Sequence, residues 1–292
     1  MIQKINYQNI DWEKYNACLQ QSVQRNFYAQ KEILDFLCKQ WEILVFGDYE
    51  AIMPIPIVKK WGIRIVHMPL FCQQLGVFSR KENSSLNDDF YYFLNKNYAV
   101  HYYAFNADNC FSTELQKRNN YQISLVDYSF LRKKYFKGRK STVKSAQHLQ
   151  MKQVELNDET QKFIGENFKG LDKETDQNLF QNYLILLQEK KLLQLFGSFL
   201  GAELTNLAIT IFTPNQISLL GLINKTEFRK ENGASFLIDR LLQKHISEKS
   251  FNFMGGSIRG QEVFFKSFGA KNLEYPIIKN TYLKVITKFF IR

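Results

Sequence analysis

The sequence predicts a mixed α/β protein made of two consecutive units, and three observations carry that expectation. Leu192–Leu200, Glu203–Thr213 and Gln216–Ile223 read as three strands in succession, the last two joined by a Pro214-Asn215 turn, which is the pattern of an antiparallel meander. An amphipathic helix, ASFLIDRLLQKHI from Ala234, follows and places Phe236, Leu237, Leu241 and Leu242 on one face, after which Phe251–Gly256 returns as a strand. The strand and helix pattern also restarts after a basic segment in the middle of the 292 residues, of which 45% are hydrophobic, so core material suffices for two units, expected at residues 1–150 and 151–292.

In the first half, Gln30–Lys39 has helical periodicity and Trp41–Asp48 suits a strand. Ala51–Val58 and Ile63–Met68 flank Lys59-Lys60-Trp61-Gly62 as a hairpin, with Pro54 and Pro56 confining the first arm to an edge or an irregular position. His101–Asp108 and Tyr121–Val126 read as two further strands around a short helical stretch. In the second half, Lys152–Leu156 is strand-like, and Asp158–Phe168 and Gln177–Gln188 are helical. A helix near Gly260–Phe268 and a last strand pair around Tyr275–Ile286 complete the order.

Net charge is +11, and its location matters more than its size. Residues 1–131 hold 13 Lys and Arg against 13 Asp and Glu, whereas Arg132–Lys152 holds eight basic residues and no acid. This segment is either an anion-facing surface or a solvated connecting helix. Cys18, Cys38, Cys72 and Cys110 are far apart with no C-x-x-C pair, and His67, His101, His148 and His245 show no metal-ligand spacing, so neither a disulfide framework nor a metal site is expected. The N-terminus lacks the apolar core of a signal peptide and no run reaches about 18 apolar residues, so a cytoplasmic protein without membrane insertion is expected. P-loop, dinucleotide and nucleophile-elbow patterns are missing.

If Phe251–Gly256 runs parallel to Gln216–Ile223 through a right-handed crossover, their C-terminal ends splay into a cleft in line with the helix N-terminus. Amides near Gly233, Ala234 and Ser235, with Arg229, Lys230 and Asn232 beside them, then suit an anionic group. At these residues, and in segments such as DYEAIMPIP, QQLGVFS, RNNYQISL and SIRGQEVFFKSFGA, the sequence resembles the GNAT acyltransferase superfamily, in particular its FemAB-like branch with two GNAT-like domains in one chain.

That resemblance implies tandem GNAT-like domains, each a mixed and largely antiparallel sheet flanked by helices, the N-terminal one degenerate. It implies acyl transfer from acetyl-CoA or another acyl-CoA to a small-molecule or peptide amine, with the coenzyme's pyrophosphate at Lys230, Gly233 and Ser235. A backbone amide at Leu220, Gly221 or Leu222 would stabilise the oxyanion; Gly221 admits close backbone approach or simply marks a bulge. Arg139, Lys140 and Lys144 are expected to hold the acceptor in a groove between the domains. The branch also offers an aminoacyl-tRNA donor, with the basic segment on phosphates, or a fold kept for binding alone. The chain departs from the family where acidic residues and a Tyr acid are usual: Met254 stands at the former, Phe265 at the latter. Asn252, Ser257, Tyr275 and Glu203 are the remaining candidates for proton transfer.

Overall fold

In the computed structural model, residues 1–24, 26–60, 62–256 and 259–290 are described. The chain runs β1 (Ile2–Asn6), α1 (Trp12–Gln21), α2 (Lys31–Leu37), β2 (Gln40–Phe46), β3 (Ala51–Lys60), β4 (Ile63–His67), β5 (Phe78–Ser79), α3 (Ser84–Asn97), β6 (Ala99–Ala104) and β7 (Gln116–Arg118). It continues through β8 (Tyr121–Ile123), α4 (Tyr128–Lys134), α5 (Lys137–Ser145), β9 (Gln150–Val154), α6 (Asp158–Asn167), α7 (Glu174–Glu189), β10 (Leu193–Leu200), β11 (Glu203–Phe212) and β12 (Gln216–Asn224). After a 3-10 turn at Thr226–Glu231 come α8 (Gly233–His245), β13 (Ser250–Asn252), α9 (Arg259–Lys266), β14 (Lys271–Asn272), β15 (Tyr275–Lys279) and α10 (Tyr282–Phe290).

Two compact units result, Met1–Arg118 with Glu274–Arg292, and Asn119–Leu273. This differs from the expected division at residue 150, and strand pairing explains why. β8 enters the second sheet between β13 and β14, antiparallel to both, while β15 enters the first sheet between β6 and β7. The basic segment folds with the second unit as well, because Leu131, Tyr135 and Val143 bury into a core that contains Leu237, Leu241, Phe251 and Phe268.

Each sheet has the same plan. In the first, β1 to β4 are antiparallel neighbours and β6 joins β4 in parallel; in the second, β9 to β12 are antiparallel neighbours and β13 joins β12 in parallel. In each, the crossover carries a helix, α3 or α8. The inner face of α8 holds Phe236, Leu237, Ile238, Leu241 and Leu242, all at most 2% exposed, and each such burial favours folding by about 1.5–3 kcal/mol.

Three expectations of local structure need correction. β3 is an inner strand rather than an edge, paired with β2 from Ala51 to Ile57. Its prolines are tolerated because β5 covers only Ala51–Ile52 and β4 only Ile57–Lys60, leaving the stretch around Pro54 and Pro56 without a second strand partner; the Tyr103 hydroxyl donates to the Pro54 carbonyl there at 2.9 Å. The short helix expected between His101 and Tyr121 is irregular chain followed by β7. The last strand pair is one strand, β15, then helix α10, whose Val285 is buried beside Ile63 and Ile65; Tyr282 and Val285, three apart, form its packed face.

Within the first unit, His67 and His101 face each other with their Nδ1 atoms 2.8 Å apart, and His101 stacks on Tyr282 with centroids 3.9 Å apart. Burial, then the partner imidazole and Lys60, lower the His67 pKa; burial, Lys60 and Lys279 lower that of His101. A histidine depressed in the folded state is protonated first in the unfolded chain. Its contribution is therefore complete above the ordinary imidazole value of about 6.5 and declines as pH falls below it. Urea unfolding of the first unit at successive pH values is expected to show this decline, and a His101→Gln variant to flatten it. An identical slope in both proteins refutes the assignment.

Candidate functional site

The site is built at one edge of β12. β13 pairs with it only over Gln216–Ser218 and Ser250–Asn252. Beyond Asn252 the chain turns to β8 instead, the Phe253 amide donating to the Tyr121 carbonyl at 2.9 Å and the Tyr121 amide to the Gly255 carbonyl at 3.1 Å. Met254 at φ 54° and Gly256 at φ 138° make that departure, and at Gly256 a Cβ would lie 2.2 Å from the Tyr121 ring. The C-terminal half of β12 is thus released from β13, as the splay required.

β12 bends where it is released. Thr210 pairs with Leu219 and Ile209 with Gly221, so Leu220 is an additional residue, a bulge that re-aims the backbone of Leu220, Gly221 and Leu222. A Cβ at Gly221 would meet Ile209 at 3.4 Å, at the edge of ordinary contact, so β11 makes little demand for a glycine here.

α8 begins at the far end of the same strand. Asn232 takes a left-handed conformation (φ 61°, ψ 27°) and caps without its side chain, which instead donates to the Lys230 carbonyl at 3.0 Å. Its own carbonyl accepts from the Ser235 and Phe236 amides at 3.0 and 3.1 Å, leaving the Gly233 and Ala234 amides as first-turn donors outside the helical ladder. Arg229 and Lys230 are exposed in the preceding turn, and Glu231 there is held by His148 at 2.8 Å. Gly233 has a packing reason of its own: a Cβ would lie 1.8 Å from Asn206 Oδ1 and 2.5 Å from Ser198 Oγ.

The three basic residues expected on the acceptor do not act together. Arg139 Nε donates to Ser267 Oγ at 2.8 Å, its Nη1 donates to Ser235 Oγ, and its guanidinium lies 4.4 and 4.6 Å from the Phe264 and Phe268 ring centroids. Burial lowers its pKa. Lys140 turns back to the Lys133 carbonyl at 2.9 Å, and Lys144 is exposed. Arg139 alone of the three reaches the first turn of α8.

The proton-transfer candidates separate too. Asn252 is committed to structure, its Oδ1 accepting the Met254 amide at 2.8 Å. Tyr275 belongs to β15 and the first unit, paired opposite Arg118 and 3% exposed, because sequence proximity to α9 does not survive the strand exchange. Ser257 lies outside the described residues. Phe265 stacks on Phe253 with centroids 4.4 Å apart, a core position. The phenol that the fold does bring to the exit of β13 is Tyr121, whose pKa burial raises; its segment reads as a strand in the sequence, but nothing local shows that the strand pairs with β13 and β14. Among the described residues, no group of three or more His, Cys, Asp or Glu could hold a metal ion.

No family model and no curated protein matches this chain. Solved structures do. FemX covers 94% of this chain and 96% of its own with TM-score 0.63 at 10% identity. The tandem GNAT protein from the clavulanic acid biosynthesis pathway covers 95% and 97% with TM-score 0.53 at 9% identity, and L-PGS from Bacillus licheniformis 94% and 95% with TM-score 0.51 at 13% identity. Two repeats of an antiparallel meander, a helical crossover and a parallel strand pair, matched over nearly the whole length of these proteins, give this chain the tandem GNAT fold.

Proposed function

We propose that the second unit transfers an acyl group from a thioester donor, an acyl-CoA, to an amine. The observation that carries this reading is the coincidence of three features on one strand: β12 loses β13 after Ser218, bulges at Leu220, and leads to an α8 start with free Gly233 and Ala234 amides. The bulged backbone at Leu220–Leu222 supplies an amide for the carbonyl oxygen as charge develops on it. The α8 start, with Arg229 and Lys230, suits the donor's pyrophosphate. In the step itself the amine nitrogen bonds to the acyl carbon, the carbon–sulfur bond breaks, the sulfur keeps the electron pair, and the amine's surplus proton passes to solvent.

Neither β12 nor β13 carries a carboxylate, imidazole or phenol, and this favours a thioester over an aminoacyl ester of tRNA. A thiolate, with a thiol pKa of about 8.5, departs without a strong acid more readily than an alkoxide does. Titration calorimetry with acetyl-CoA and free CoA, beside bulk tRNA, tests the reading: saturable CoA binding in the micromolar range supports it, and tRNA binding without CoA binding replaces it with the aminoacyl donor.

The exposed cations give the site-specific test. Arg229→Gln with Lys230→Gln is expected to weaken CoA binding about tenfold at low salt, and less at high salt, with unfolding unchanged. Equal affinity in the double variant removes the pyrophosphate assignment.

A further inference from the structure

From Tyr128 to Val154 the chain carries no Asp or Glu and eight Lys and Arg, and the fold sorts these cations by type. Both arginines turn inward. Arg132 lies 3.9 Å from Asp239 and 4.8 Å from the Tyr135 ring centroid, and Arg139 is held by Ser235, Ser267 and two phenylalanine rings. Lys133, Lys134, Lys137 and Lys144 stay exposed. Bulky apolar side chains stand out beside them: Phe130 is 60% exposed and Phe136 52%. Phe130, Lys133 and Lys134 share one face of α4 by their spacing, with the Lys133 amine 5.2 Å from the Phe130 ring centroid. The Phe136 amide donates to the carbonyl of Ser267, which follows α9 directly and whose own amide donates to the carbonyl of Val263, a residue 56% exposed.

We propose that this face docks the second unit on an anionic lipid surface. The lysines meet headgroup phosphates while Phe130, Phe136 and Val263 enter the boundary with the acyl chains. The contact is peripheral, since no helix among the described residues is long and apolar enough to cross a membrane. Lipid is favoured over RNA by the sorting of side chains. Arginine, the cation that binds phosphate bidentately and stacks on bases, is withdrawn into the fold, and Val263 offers no plane on which a base could stack. Flexible lysines around protruding apolar groups fit a fluid interface. The inference does not depend on the acyl-transfer reading.

Flotation of the full chain with vesicles of phosphatidylcholine alone, and of phosphatidylcholine with an equimolar share of phosphatidylglycerol, tests the proposal. The protein is expected to float with the mixed vesicles only, less at high salt. Lys133→Gln with Lys137→Gln lowers partitioning about twenty-five-fold, from about fivefold per lysine, and Phe130→Ser with Phe136→Ser lowers it about tenfold, both with unchanged thermal unfolding. Phe136→Trp gives an independent readout in an otherwise intact protein, an emission shift to the blue on mixed vesicles beyond that of the parent. Equal partitioning to both vesicles, no partitioning, insensitivity to the phenylalanine changes, no emission shift, or bulk tRNA binding in place of vesicle binding each overturns it.

Discussion

A Gly233→Ala variant loses on the order of 3 kcal/mol of second-unit stability, and its unfolding midpoint falls by about 10 °C. The added Cβ would lie 1.8 Å from Asn206 Oδ1 and 2.5 Å from Ser198 Oγ, and neither atom is the free end of a mobile side chain. Ser198 and Asn206 are at most 2% exposed, and with Thr205 they form a closed set of hydrogen bonds at 2.7 to 3.0 Å that Asn206 extends to Asn224 at 2.5 Å. Relieving the collision means breaking some of these bonds inside the core, where an unsatisfied polar group costs about 1–3 kcal/mol. A larger side chain such as Glu at this position therefore unfolds the unit before it can repel an anion, and the removable cations Arg229 and Lys230 are the right probes of binding. Thermal unfolding of Gly233→Ala, Asn206→Ala and the double variant reads the clash directly. The double variant should be more stable than the sum of the single losses, because the second change removes the atom that the first one strikes. Additive losses would show that Gly233 is there for some other reason.

What sequence could reveal, and what it could not, follows the range of the interactions. The meander, the buried face of α8 and the parallel return of β13 rest on period-2 and period-3.6 patterns joined by short turns, so neighbouring residues carry the signal. The bulge at Leu220 and the exchange of β8 and β15 depend on which strand lies alongside. β8 is three residues long and β15 five, and their partners lie more than 100 residues away in sequence for β13 and β6 alike. That is why Tyr275, adjacent to the site in the chain, ends in the other sheet, and why no local pattern places Tyr121 beside β13. α10 reads as a strand for a different reason: YLKVITKFF is rich in β-branched and aromatic residues that suit a strand as well as a helix. The basic segment concealed the division of the chain, because charge count does not show which cations point inward.

An Asp239→Ala variant is expected to cost about 3–5 kcal/mol and to free the basic segment from the second unit. Asp239 is 3% exposed on the inner side of α8, accepts from the Tyr128 hydroxyl at 2.8 Å, and lies 3.9 Å from Arg132. Removing the carboxylate leaves a guanidinium whose buried Nη1 has no hydrogen-bond partner even in the parent, facing the Tyr128 and Tyr135 phenols without a counter-charge. Asp239→Asn, which keeps an acceptor for Tyr128, should lose less, and Asp239→Leu with Arg132→Met should recover most of the stability, since a well-packed apolar pair replaces a buried ion pair at little cost. Alkaline pH should act in the same direction. Burial and then Asp239 raise the Tyr128 pKa, and burial raises that of Tyr135, so the folded unit keeps these protons. The associated stability is complete below the ordinary phenol value of about 10 and declines above it. Limited trypsin digestion separates the two views of residues 132–152. If the segment is a solvated connector, cleavage at Lys133, Lys134 and Lys137 is as fast in the parent as in Asp239→Ala. If the segment is part of the second core, as Leu131, Tyr135 and Val143 place it, cleavage accelerates only when the carboxylate that fastens it is gone.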